Sequence, residues 1–97
     1  MRIFWEEDAE EDLDRIFEYI LEDNPEAALR VVETIQQTVQ MLIEHPHLGR
    51  AGRVADTREL VIPGTPYIVP YQVLGDQIII LRALHGAQQW PESFEEQ

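Results

Sequence analysis

Apolar residues along the first half of the chain recur with helical spacing. Arg2 to Trp5 (RIFW) is short and rich in β-forming side chains, which predicts a strand. Glu6, Glu7 and Asp8 follow at once and suit the first turn of a helix, where negative charge meets the positive end of the helix dipole. Ala9, Leu13, Ile16, Phe17, Ile20 and Leu21 then return at three- and four-residue steps, opposite Glu10, Glu11, Asp14, Glu18 and Glu22. This is one apolar and one solvated helix face. Asp23-Asn24-Pro25-Glu26 ends that helix and starts another, with Asn24 as N-cap and Pro25 in the first helical position. A second stripe, Ala28, Val31, Val32, Ile35, Val39, Leu42 and Ile43, carries this helix to about His45, where Pro46 blocks it. So short a link folds the two helices into an antiparallel hairpin.

The second half changes period. His47 to Asp56 has no periodicity and two glycines, and reads as a loop. Thr57 to Ile62 alternates, with Arg58, Leu60 and Ile62 on one side and Thr57, Glu59 and Val61 on the other. Pro63 to Pro66 is a turn, Tyr67 to Leu74 a second strand, Gly75-Asp76 a tight hairpin, and Gln77 to Leu84 a third strand. Pro70 removes a ladder donor, so the second strand is expected to have a local edge or bulge there. The tail from His85 to Gln97 is polar apart from Ala87, Trp90 and Phe94; Trp90 and Phe94, four apart, could anchor a short last turn. The predicted fold is α+β: an N-terminal strand, an antiparallel helix hairpin packed on a three- to four-stranded antiparallel sheet, and a short C-terminal tail, all in one domain over 1–97. The first strand is expected at the sheet edge beside the last meander strand.

Composition narrows what such a domain can do. There is no cysteine, hence no disulfide, no thiolate metal ligand and no thiol nucleophile. No apolar run approaches a bilayer span, and the acidic N-terminus does not resemble a secretory signal, so a cytoplasmic location away from membranes is expected. The net charge is −12, with seven Arg, no Lys and nineteen acidic residues. Residues 1–48 carry three Arg against thirteen acids, and residues 49–97 carry four against six. Bulk electrostatics therefore excludes non-specific nucleic-acid binding; any such contact must use the local Arg cluster.

The ordered set GRAGRVADTRELVIPGTPYIVPYQV, IIILRALHGAQQWP, Trp5, the Ala9–Asp12–Leu13 spacing and the Asn24–Ala28 start of the second helix resembles the RelE/ParE toxins of bacterial type II toxin–antitoxin systems. The resemblance covers nearly the whole chain. It implies a toxin neutralised by a co-encoded antitoxin. RelE-like members cut ribosome-bound mRNA without metal; ParE-like members poison DNA gyrase. The ribonuclease branch carries a basic residue directly after the aromatic of the second meander strand, where this chain has Ile68 after Tyr67. An Arg fork is the natural stabiliser of charge on a phosphoryl group, and the lysines many such ribonucleases use are also absent. The resemblance thus favours the ParE-like branch. The alternatives are a RelE-like endoribonuclease and a detoxified homologue that only binds its antitoxin.

Arg50, Arg53, Arg58, Tyr67 and Arg82 are the candidate target-binding residues; Arg58, Arg82 and His85 would be catalytic if the chain is a ribonuclease. The more ordinary reading is that Arg50, Arg53 and Arg58 pair with acidic residues. Arg82, inside an apolar strand, needs a partner, with Glu59 across the sheet as one possibility, or it converges with Arg58 on a concave face. His85 is either a general acid or a structural histidine holding the tail. Tyr67 and Tyr71 are more often core than base-stacking residues, and Trp90 is expected to cover the open end of the core. No metal site or cofactor is expected: His45 and His47 do not make a site, and the acids of Glu6 to Asp14 read as a solvated face. The antitoxin segment is expected to wrap the helix hairpin and the sheet edge, and to be basic. A homodimer or a toxin–antitoxin hetero-oligomer is compatible with the chain.

Overall fold

The computed structural model describes residues 1–94. Strand β1 (Arg2–Trp5) is followed by helices α1 (Glu7–Leu21) and α2 (Pro25–Gln40), the latter continued by a 3-10 turn at Met41–Ile43. Strands β2 (Arg50–Ala51), β3 (Arg58–Val61), β4 (Tyr67–Leu74), β5 (Gln77–Ile80) and β6 (Leu84–His85) complete the chain. Asn24 caps α2, its side chain accepting a hydrogen bond from the Ala27 N–H, and Pro25 occupies the first turn as expected.

The sheet runs β1-β5-β4-β3-β2, with β6 pairing to the start of β4. Strands β3, β4 and β5 form the antiparallel meander, and β1 joins at the edge beside β5. It does so in parallel, so the sheet is mixed rather than wholly antiparallel. The helix hairpin returns the chain to the end of the sheet at which β1 finished, and β2 then adds one reversal to those of β3, β4 and β5, so that β5 runs in the same direction as β1. The loop after α2 also contributes the two-residue β2, which pairs with β3.

One face of the sheet packs on the hairpin. Ala9 and Ile16 of α1 and Ile35 and Val39 of α2 meet Leu60, Val69, Tyr71, Ile78 and Ile80 in one buried cluster. Tyr71 is fully buried, and its hydroxyl donates to the Pro46 carbonyl at 2.8 Å while accepting from the Gly49 N–H at 2.8 Å. Burial pushes the Tyr71 phenol up from its ordinary pKa, so it remains a donor. Gly49 is required by this approach, since a Cβ there would lie 2.7 Å from the Tyr71 ring.

The third meander strand does not run unbroken to Leu84. It leaves the ladder at Leu81–Ala83 and resumes as β6. Pro70 sits in the central strand opposite this gap; its carbonyl accepts from the Leu81 N–H at 3.0 Å, and it has no N–H to return. The expected irregularity at Pro70 is therefore a break in its neighbour. Within residues 86–94 the tail makes a turn at Gly86–Ala87 and no helical turn; Trp90 lies outside the core cluster.

Tyr71→Phe is expected to lower unfolding free energy by roughly 1–3 kcal/mol, because it strands a buried donor and acceptor. Urea denaturation checks this. Gly49→Ala should be destabilising as well, whereas an unchanged midpoint for both would show that the loop is not held by this residue.

Candidate functional site

Two buried carboxylates organise the scarce arginines. Glu59 projects from β3 on the face away from the helices and is only 3% exposed. Its Oε1 accepts from Arg50 Nε and Nη2 at 3.2 and 3.1 Å. Its Oε2 accepts from the Arg53 backbone N–H at 2.7 Å and from Arg53 Nε at 3.0 Å. Burial alone would raise the Glu59 pKa, but the hydrogen bonds from Arg53 and Arg50 outweigh it, and the carboxyl lies below its ordinary range. The Arg53 guanidinium also stacks on Trp90, 3.7 Å from the ring centroid, which fixes the tail to this cluster.

Asp12 of α1 is the second carboxylate. Its Oδ2 accepts from Arg82 Nε at 2.6 Å and from the Ala83 N–H at 2.9 Å. Its Oδ1 accepts from Arg82 Nη2 at 3.0 Å and from Arg15 Nη2 at 2.7 Å. Asp12 thus receives the donors that the sheet break at Leu81–Ala83 leaves over. The pairing pushes the Arg82 pKa up, so its charge is secure. Arg82 is not paired with Glu59, which lies in the other cluster.

Arg58 belongs to neither carboxylate. Its Nη1 donates to the carbonyls of Gly49 at 2.9 Å and His47 at 3.4 Å, so it secures the loop after α2. His85 sits edge-on to Tyr67, with ring centroids 5.6 Å apart. Its Nδ1 accepts from the Ala87 N–H at 3.0 Å, which leaves the proton on Nε2, and its carbonyl accepts from Trp90 Nε1. Tyr67, Arg82 and His85 share one cleft of about 580 Å³ between the hairpin and the β4–β6 end of the sheet. Arg50, Arg53 and Arg58 do not line it, so Arg58 and Arg82 do not converge.

The sequence reading missed Asp12 as an organiser. The signal was present: Asp12 stands three after Ala9 and four before Ile16, inside the apolar stripe, where an acid must find a partner. Among the described residues no cluster of three His, Cys, Asp or Glu could hold a metal, and no helix is long and apolar enough to cross a membrane.

Comparison with known proteins agrees with this architecture. The family profile of the ParE toxin of type II toxin–antitoxin system, parDE, matches residues 3–90. The chain is 47% identical over 91 residues to the protein named "Putative toxin Y4kP" of Sinorhizobium fredii, covering 94% of each chain. It is 31% identical over 83 residues to toxin RelE1 of Caulobacter vibrioides, covering 84% of this chain and 88% of that one. A solved chain of the chromosomal ParDE toxin–antitoxin system from P. aeruginosa superposes with a TM-score of 0.80 at 32% identity, covering 88% of this chain and 95% of that chain.

Because the folded Glu59 carboxyl lies below its unfolded pKa, its stabilisation is present above the unfolded value and is lost as pH falls through the folded one. Melting temperature should drop on acidification more steeply in the parent than in Glu59→Gln; parallel curves would contradict the assignment. Asp12→Ala leaves Arg82 and the Ala83 N–H uncompensated and should cost about 3 kcal/mol by chemical denaturation. Asp12→Leu combined with Arg82→Met should recover part of that loss.

Proposed function

Since the chain belongs to the ParE toxin family of type II toxin–antitoxin systems, we propose that it arrests growth by binding DNA gyrase and is neutralised by a co-encoded antitoxin. The observation that carries the gyrase reading is the commitment of the Arg15, Arg50, Arg53, Arg58 and Arg82 guanidinium groups. Phosphoryl transfer needs positive charge free to meet charge developing on phosphate oxygens. Here Arg50 and Arg53 are held by Glu59, Arg82 and Arg15 by Asp12, and Arg58 by carbonyls. Ile68, at the position where the ribonuclease branch has a basic residue, pairs with Leu84 and brings no charge. Paired arginines with exposed outer edges suit a protein surface instead, and Arg and Trp are enriched where protein contacts are strongest. Arg50, Arg53 and Arg58 with Trp90 form the target-facing rim in this reading, and Tyr67 and Arg82 lie on a second surface.

The antitoxin docks, in this reading, where β1 leaves a sheet edge unpaired. Beside that edge Trp5, Leu13, Phe17 and Val32 floor a groove of about 470 Å³, rimmed by Glu10 and Asp14. An apolar side chain flanked by Lys or Arg fits it, added as a strand or helix that orders on contact.

The gathering of Tyr67, Arg82 and His85 in one cleft favours a second reading, a metal-independent ribonuclease acting on ribosome-bound mRNA. It is the weaker one, because Arg58 is outside the cleft and His85 Nδ1 is already engaged.

Purified protein is expected to inhibit gyrase supercoiling at micromolar concentration, and inactivity there would sink the gyrase reading. Primer extension on translated messages should show no induced cleavage; cleavage abolished by His85→Ala would install the ribonuclease reading instead. Antitoxin affinity should fall as salt rises, and tight, salt-insensitive binding of an acidic segment in the β1 groove would refute the docking assignment.

A further inference from the structure

Strand β1 ends the sheet on one side and leaves its outer ladder edge open. The Arg2 and Glu6 N–H groups donate to the carbonyls of Asp76 and Ile80, each at 2.9 Å, so residues 2, 4 and 6 turn their backbone groups toward β5. By alternation Ile3 and Trp5 turn their N–H and C=O groups outward, where no described strand meets them. An edge of this kind pairs with another chain unless it is blunted, commonly by proline, lysine or a bulge. The segment Arg2–Trp5 has no proline or lysine, and its register with β5 is continuous.

The side chains along this edge are complementary to themselves. Residues 2, 4 and 6 lie on the face away from the helices. Phe4 is 44% exposed, and the Arg2 guanidinium lies 5.6 Å from its ring centroid. Glu6 is still extended, with φ −61° and ψ 153°, and so continues the alternation before α1 begins. Among the described residues neither Arg2 nor Glu6 forms an ion pair. Antiparallel pairing about a two-fold axis at Phe4 sets Ile3 opposite Trp5 of the second copy, and each such pair exchanges both of its ladder hydrogen bonds. The same register sets Phe4 against Phe4 of the copy as the close, non-hydrogen-bonded pair, and Arg2 against the copy's Glu6 at both ends. A shift of two residues either way loses both charge pairs.

We propose that the free chain pairs with a second copy of itself along β1, in this register, to make one continuous sheet across a two-fold axis. The axis stands normal to the sheet, so both helix hairpins lie on one side of it and the grooves floored by Trp5, Leu13, Phe17 and Val32 flank it. Glu10 and Asp14 rim both grooves, and two chains of net charge −12 repel, which keeps the pairing weak and reversible. The pairing needs only the open edge, so its failure leaves the gyrase and antitoxin readings intact. Where an antitoxin takes the same edge, the two occupants exclude each other, and the dimer is the form of the chain without its antitoxin.

Sedimentation equilibrium of the purified chain tests it, from about 10 μM to about 1 mM. Salt at about 0.15 M screens the long-range repulsion and leaves contact pairs in force. A monomer–dimer equilibrium is expected. Phe4→Lys sets two like charges face to face at an exposed position and should weaken association at least about tenfold while the circular dichroism spectrum stays folded. Arg2→Glu and Glu6→Arg should each weaken it about tenfold, and the double variant should recover it, because opposite charges then meet again. The chain has no cysteine, so Phe4→Cys carries a single thiol, which should crosslink to its copy on mild oxidation, since close strand pairs fall within disulfide reach. Arg2→Cys should not, because its two copies lie about 13 Å apart along the paired strands. A chain that stays monomeric throughout overturns the proposal. So does association indifferent to Phe4→Lys, a double variant that fails to recover, or equal crosslinking of Arg2→Cys and Phe4→Cys.

Discussion

The carboxylate of Asp12 is the contact on which the arrangement of helices and sheet depends. A proline in the central strand cannot donate, the strand beside it leaves the ladder for three residues, and the backbone there needs another partner. Asp12, carried on the buried side of α1, supplies it through the Ala83 N–H and binds Arg82 from the same segment. One side chain therefore ties the hairpin to the sheet at the point where the sheet is weakest. A buried charge of this kind is costly unless every lone pair is used, and here four donors use them.

Glu59 repeats the device on the opposite face. It draws Arg50 and Arg53 onto one carboxylate, and Arg53 in turn carries Trp90 and the tail. Both clusters show how an acidic chain with few cations allocates them. Most of the arginines with assigned partners serve the fold, and what they present outward is the unused edge of a paired guanidinium. Such an edge still recognises a partner surface or a phosphate. The allocation separates the two surfaces as well: a rim near β2 with Arg50 and Arg53, and a cleft near β6 with Arg82 and His85.

Periodicity was enough for the hairpin, the meander and the tight turn at Gly75, since spacings of three to four and of two are local properties that burial simply enforces. Asn24 and Pro25 marked the helix junction for the same reason. Pro70 marked an irregularity, because a missing donor is a property of one residue. The resemblance carried by Trp5, Asn24 to Ala28 and the segment around Tyr67 placed the chain in its family.

Tertiary structure alone decided which carboxylate each arginine meets, and with it which residues share a surface. Glu59 and Arg82 occur in strands that a linear reading could pair, yet Asp12, seventy positions away from Arg82, takes that guanidinium. It also decided that β1 runs parallel to β5, and that Tyr67, Arg82 and His85 meet while Arg58 does not. The physical reason is common to these cases. Short-range sterics and burial act along the chain and leave a mark in it, whereas the choice among several partners of equal chemistry depends on distances that exist only after the layers have packed.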